Sequence, residues 1–308
     1  MALKSTLKEA SQVLFLAAQR AGLFVAPRHY YVPLASWPDL ARDRARWNRP
    51  IDLAAVRIDL DEEIEVLNAW IDDEVREEIA GNAAYKAAIA AQAGPGYGYI
   101  EAQVLHGFMR SVAPPRVIEI GSGVSTYCML AASERNRQDG RSESRVTCVE
   151  PYPSQTLKGY PVDLVAEAVE KVDLTIFDAL RSGDFLFIDS SHAVRPCGDV
   201  SRLYLEVLPR LQSGVHVHIH DIYLPYAFQR DLKGYMQWME TAMLIALLSH
   251  SSKYKVSLSL SHLHYSAPEK MKRALPEYDP QPNDGGLRGD SRTDHDQHFP
   301  SSTYLRVL

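Results

Sequence analysis

Two short stretches combine residue types that could do chemistry together. FIDSSH (Phe187–His192) closes an apolar run with Asp189 and His192, and HVHIHD (His216–Asp221) alternates histidine with apolar residues before ending in Asp221. Imidazoles beside carboxylates can move a proton near neutral pH, because an unperturbed imidazole titrates near 6.5, or they can hold a divalent ion. Upstream, EIGSGVST (Glu119–Thr126) follows another apolar run, and RVTCVE ends in Glu150. Glycines at 121 and 123 permit a tight turn and a close backbone approach, which places main-chain N–H groups and a helix start against a ligand. A carboxylate at the end of the next strand can accept two hydrogen bonds from a cis-diol and would repel a phosphate.

The elements that must position these residues follow from periodicity. Strands are expected at Val117–Ile120, Val146–Val149, Val162–Val165, Phe185–Ile188, Val215–Ile219, Tyr254–Leu260 and Ser302–Leu308, with helices at Ser125–Asn136, Val200–Leu211 and Gly234–Leu248 between them. Strands alternating with helices predict a mostly parallel sheet covered on both faces, the last strands returning as a hairpin. Ligands in such sheets sit at the carboxyl edge, where Asp189, His192, His220 and Asp221 fall. Period-2 alternation puts His216, His218 and His220 on one face; the first two read as packing residues and His220 as the one at the edge. Residues 1–110 read as mainly helical: Ile64, Leu67, Ile71, Val75 and Ile79 keep helical spacing between Asp61 and Asn82, and a second helix spans about Ile100 to Arg110. Gly94-Pro95-Gly96-Tyr97-Gly98 before it is a breaker cluster, either a connector or a loop that closes on a ligand. The polar stretch from about Pro276 to Pro300 reads as a long surface loop.

The bulk numbers narrow the function. The chain has 308 residues, 46% hydrophobic and 23% charged, with 33 basic against 39 acidic side chains and a net charge of −6. A sizeable core is assured at this length. No basic run supplies the footprint that nucleic acid or an anionic membrane needs. Cys128, Cys148 and Cys197 are odd in number and far apart, which argues against a disulfide framework and a zinc site and for a reducing, cytoplasmic setting. The apolar run Val13–Ala18 is too short for a membrane span, and no small-residue cleavage site follows it.

EIGSGVST, the strand ending in Glu150, FIDSSH and HDIYLP, in this order and spacing, resemble class I S-adenosylmethionine-dependent methyltransferases, and the branch called methyltransferase family 24 most closely. The resemblance runs over nearly the whole chain, including HYYVPLASWPDL (His29–Leu40) and the terminal SSTYLRVL. It implies an α/β fold with a Rossmann-like, seven-stranded, mostly parallel sheet at 111–308, preceded by a mainly helical region at 1–110 that serves as acceptor pocket and lid or in oligomerisation. It implies that Glu119, Gly121, Ser122, Gly123 and Thr126 hold the methionine end of S-adenosylmethionine, that Glu150 holds the ribose, that the adenine lies near Glu170–Asp173, and that Asp189 lies beside the transferred methyl. Related sugar and macrolide O-methyltransferases hold magnesium with an acidic residue after the fourth strand and an Asp-Asp pair after the fifth. Here His220-Asp221 replaces that pair, and imidazole is a poorer magnesium ligand than carboxylate. Asp189, His220 and Asp221, with His192 nearby, are therefore candidate ligands of a divalent metal, and His192 or His220 acting alone as a base, oriented by Asp189 or Asp221, is the competing reading.

The expected activity is O-methylation of a small molecule, a sugar or natural-product hydroxyl, with N-methylation of an amine as the runner-up. A module that binds S-adenosylmethionine without turnover is a third reading. A nicotinamide oxidoreductase fits poorly because Thr126 stands where the dinucleotide fingerprint has its third glycine. No nucleic acid or membrane partner is expected. Tyr30, Tyr31, Trp37 and Trp47 are either pocket-lining or packing residues. The apolar N-terminal helix (Leu14, Phe15, Leu16) either pairs subunits in a homo-oligomer or packs on the protein's own domain.

Overall fold

β-Branched and aromatic runs become strands where expected: β1 (Arg116–Ile120), β2 (Arg145–Val149), β3 (Asp163–Val165), β4 (Phe185–Ile188), β5 (His216–Ile219), β6 (Tyr254–Ser259) and β7 (Thr303–Val307). The computed structural model describes residues 2–94, 96–229, 236–279 and 300–308. The strands form one sheet in the order β3-β2-β1-β4-β5-β7-β6. β1 to β5 run parallel, and β7 lies antiparallel between β5 and β6. This is the Rossmann-like, mostly parallel seven-stranded sheet expected, with the returning hairpin at one edge.

Both faces are covered, so alternation along each strand divides two apolar layers rather than core from solvent. Val117, Cys148, Phe185, Phe187, Leu258 and Tyr304 belong to one layer, with the helices Leu60–Trp70, Tyr99–Val112 and Val124–Gln138. Ile118, Ile120, Leu186, Ile188, Val217 and Leu305 belong to the other, with residues 200–211 and the helix Glu240–His250. Glu119 alternates onto the first layer and is fully buried there.

Two helices depart from the periodicity. The stretch expected as one helix over 61–82 is two, Leu60–Trp70 and Asp73–Ile79. Asp59 caps the first by accepting from the N–H groups of Asp61 and Glu62, and Asp72 starts the second by accepting from Val75 N–H at 2.9 Å. An Asp side chain competing for main-chain donors is what breaks a helix whose apolar spacing would let it continue. The helix expected at Val200–Leu211 starts as α at Asp199–Arg202, widens to i→i+5 turns at Leu203–Val207 and tightens to 3-10 turns at Leu208–Arg210, where Pro209 lacks an N–H. Of the helix expected at Gly234–Leu248, Glu240–His250 forms and residues 236–239 are not helical; residues 230–235 lie outside the described part, as does most of the polar loop at 276–300.

The chain divides into two compact units: Asn48–Lys233 with Trp238–Leu308, which contains the sheet, and Met1–Trp47 with Gly234–Gln237. In the smaller unit, helix Ala2–Arg20 leaves Val13, Leu14 and Leu16 exposed, while Phe15 meets the edge of Phe24. Arg28 Nη2 donates to both carboxylate oxygens of Asp39 at 2.7 and 2.9 Å, and Trp47 donates its indole N–H to the Leu40 carbonyl. Among the described residues no helix is long and apolar enough to cross a membrane.

Gly107 marks how closely helix Tyr99–Val112 lies on Leu60–Trp70. A Cβ there would stand 2.5 Å from both the Trp70 carbonyl oxygen and Ile71 Cδ1. At an exposed helical site Gly→Ala stabilises by about 1 kcal/mol. Here Gly107→Ala should instead lower stability by about 1–3 kcal/mol, the cost of overpacking. Urea denaturation midpoints of the two proteins check this; an unchanged or higher midpoint would mean that the two helices can slide apart freely.

Candidate active site

The site begins where β1 ends. Gly121 takes φ +83°, donates its N–H to the Val149 carbonyl at 3.1 Å, and passes so near the chain after β4 that a Cβ would lie 2.4 Å from the Asp189 carbonyl oxygen. Only glycine meets both demands. The segment at Ala93–Gly94 crosses the loop next to Gly123, whose Cβ would be 3.3 Å from the Ala93 carbonyl. The breaker cluster thus lies against the glycine turn.

Glu119 holds this turn from beneath. Its carboxylate accepts from Ser125 Oγ and Thr126 Oγ1 at 2.7 Å each and from Cys148 Sγ at 3.2 Å, while Thr126 Oγ1 accepts from Gly123 N–H at 3.0 Å. Burial pushes its pKa up to about 7 against the pull of those donors. Glu150, half-buried at the end of β2, accepts from Tyr152 N–H at 2.8 Å and from Ser122 Oγ at 3.2 Å, so its carboxylate is tied to the glycine turn.

Asp189 follows β4 and donates its N–H to the Ile120 carbonyl, which locks the reactive edge to β1. Around it the structure brings together His192, His220 and Asp221. Asp189 Oδ1 is 3.3 Å from His220 Nδ1 and 3.5 Å from His192 Nε2; Asp221 Oδ2 is 3.3 Å from His192 Nε2 and 3.8 Å from His220 Nδ1. The facing atoms of Asp189, His192 and His220 all lie within 4.8 Å of one another. Asp221 Oδ1 accepts from Tyr223 Oη and Ser301 Oγ, each at 2.9 Å. His192 and Asp221 adopt φ of +59° and +54°, a region non-glycine residues visit rarely and keep where surrounding contacts enforce it.

Two buried acids that sequence reasoning passed over complete the group. Glu240 Oε2 lies 2.8 Å from His192 Nδ1 and 3.1 Å from Ser190 Oγ. Glu101 Oε2 lies 3.1 Å from His220 Nε2 and accepts from Gly98 N–H, while its Oε1 accepts from Ser301 N–H and Ser302 Oγ. The available signal was an acid on an otherwise apolar helical face, at Glu101 in YIEAQVLHGF and at Glu240 opening ETAMLIALL. Burial disfavours both imidazolium ions. The bonds from His192 to Asp189 and Glu240 nevertheless push its pKa up to about 10, and the charges of Glu101, Asp221 and Asp189 hold that of His220 well above the usual range. Asp189 is correspondingly held below the ordinary carboxylate range: burial opposes the shift, but His220 and His192 override it.

His216 and His218 remain apart from this chemistry. His218 stacks on Phe187 at 4.1 Å, makes a 2.8 Å bond with Ser302 Oγ, and is driven down to about 3 by burial and the charge of His220. His216 accepts from Arg306 Nη1 and falls to about 4 through burial and that cation.

Residues 118–222, β1 to just beyond β5, match a family model described as "Methyltransferase domain", that of family 24. A curated protein of Archaeoglobus fulgidus, uncharacterised, is 25% identical over 178 residues, 53% of this chain and 76% of its own length. Among solved structures, the O-methyltransferase TomG of Streptomyces achromogenes, in complex with S-adenosylmethionine, is similar at a TM-score of 0.45 and 14% identity, covering 73% of this chain and 90% of its own. An O-methyltransferase of Bacillus cereus in complex with S-adenosylhomocysteine is similar at 0.43 and 12%, over 77% and 92%. The glycine turn and the parallel strands β1 to β5 thus lie in the part of the chain that is similar to a methyltransferase domain.

Glu119 gives a test of how tightly the turn is held. Its folded pKa of about 7 stands above its unfolded value, so the folded state keeps a proton that the unfolded state releases first. That contribution is complete at low pH and is lost as pH rises through 7. Relative to Glu119→Gln, wild type should lose about 2–3 kcal/mol of stability between pH 5 and pH 8. Urea denaturation of both proteins at several pH values checks this; a constant difference would mean that Glu119 is ionised throughout.

Proposed function

We propose that the protein transfers a methyl group from S-adenosylmethionine to the hydroxyl of a small molecule, a sugar or natural-product scaffold. The observation that carries this is the pairing of both imidazoles, His192 and His220, with carboxylates directly beside the Asp189 main chain that crosses the glycine turn. An amine acceptor is a nucleophile without base assistance, whereas a hydroxyl must lose a proton as the new bond forms.

In this reading Glu119, Gly121, Ser122, Gly123 and Thr126 shape the turn that receives the methionine end of the cofactor. Glu150, held by Ser122 and the Tyr152 N–H, faces the ribose hydroxyls. S-adenosylmethionine, when bound, supplies a methyl carbon made electrophilic by its sulfonium. The chain's part is to align an acceptor oxygen in line with that carbon and to take up its proton. Asp189, whose side chain is 30% exposed while those of His192 and His220 are nearly closed off, is the part of the group that an acceptor reaches first. His192 and His220 flank the path of that proton and keep Asp189 between them ionised. Helix Tyr99–Val112, from the helical region before the sheet, brings Glu101 to His220 and so contributes to the same site.

Calorimetry tests the reading. Wild type should bind S-adenosylmethionine and S-adenosylhomocysteine, and Glu150→Ala should bind both roughly 10- to 100-fold more weakly, the loss expected for hydrogen bonds to a charged group. Absence of binding to folded wild type overturns the assignment. With an acceptor in hand, His192→Ala and His220→Ala should each slow transfer by about 10²–10⁴; turnover that barely changes would point to an amine acceptor instead.

A further inference from the structure

We propose that Asp189, His192 and His220, with Asp221 beside them, hold a divalent ion of the imidazole-accepting kind, such as zinc, cobalt or nickel, in preference to magnesium. The proposal deepens the methyltransferase reading by naming the ion its site would take.

Each carboxylate donor faces an imidazole donor at the right scale, and the inward atoms of Asp189, His192 and His220 all lie within 4.8 Å of one another. Asp189 Oδ1 to His220 Nδ1 is 3.3 Å, Asp189 Oδ1 to His192 Nε2 is 3.5 Å, and Asp221 Oδ2 to His192 Nε2 is 3.3 Å. Ligands about 2.1 Å from a tetrahedral ion stand roughly 3.4 Å apart. The orientation of the rings is more telling than the distances. His192 turns Nε2 inward and Nδ1 to Glu240; His220 turns Nδ1 inward and Nε2 to Glu101. Both outer acids are buried, Glu240 at 1% exposure and Glu101 at 0%. A carboxylate on the remote nitrogen fixes the tautomer and makes the inward nitrogen a better donor, which is the usual support of a metal-bound histidine. A single general base needs one such orienting acid, yet here two rings converge on one point and each has its own.

The ligand types then choose the ion. Magnesium takes oxygen donors, whereas imidazole nitrogen favours the transition-series ions. Two of the four inward groups are imidazoles, and the other acids nearby, Glu101 and Glu240, are already engaged with them. Cysteine spacing bears on thiolate zinc sites and leaves an imidazole site untouched. Asp189, partly exposed, leaves a way in.

The test uses the full chain freed of metal with a chelator, with S-adenosylmethionine binding measured on the same samples. Cobalt should bind one ion per chain with visible d–d absorption, zinc should displace it, and millimolar magnesium should not. Glu240→Gln and Glu101→Gln should keep the one-to-one ratio but weaken zinc about 10- to 100-fold, and Asp189→Asn should abolish it. Absence of cobalt or zinc binding in a sample that binds S-adenosylmethionine, or displacement of either ion by magnesium, overturns the proposal while the methyltransferase reading stands. Metal binding without S-adenosylmethionine binding does the reverse. Unchanged zinc affinity in both glutamine variants would overturn the supporting role of Glu101 and Glu240.

Discussion

The Glu101 carboxylate, with no exposure at all, is the interaction on which the site depends. It joins three parts of the chain far apart in sequence: the Gly98 N–H at the start of its own helix, His220 at the end of β5, and Ser301 and Ser302 leading into β7. A buried ionised acid is stable only while each lone pair has a donor, because an uncompensated charge in the interior costs several kcal/mol. The helical segment before the sheet is thereby bound to the position of His220, and β7 is bound to both. The returning strand does more than close the sheet edge. Its lead-in residue Ser301 also donates to Asp221 and so sets the left-handed turn that follows β5.

A second buried acid does the same for the glycine turn. Glu119 satisfies Ser125 and Thr126 in the first turn of the helix that follows the glycines, and Thr126 in turn holds Gly123. The two systems meet at one main-chain crossing, where Asp189 passes over Gly121 with no room for a side chain. Any shift of the glycine turn is transmitted to Asp189, and through it to both imidazoles. Close packing of this kind suits the methyl transfer proposed, since in-line displacement tolerates little misalignment.

Environment, more than residue type, sorts the histidines. His216, His218 and His220 occupy one face of one strand at intervals of two, yet the first two are driven to neutrality and the third is held charged. Burial acts on all three in the same direction. The difference is the neighbour: Arg306 for His216, the charge of His220 for His218, and three carboxylates for His220.

Much was legible in the chain alone. Seven strands, their mostly parallel order and the placing of Asp189, His192, His220 and Asp221 at one edge followed from apolar runs of strand length broken by glycine and acid, because a strand buried on both faces has a composition that few other elements share. Gly121 was recognisable as a position where a side chain is excluded. What stood over it was not. The partners of the site, Glu101 some 119 positions before His220 and Glu240 48 after His192, show locally only as acids on apolar helical faces, and an acid at the start of a helix is ordinarily a solvated one. Only the folded chain decides that these two are buried and that each imidazole is held from both sides, because burial and partner geometry arise from contacts between distant segments, which periodicity does not encode.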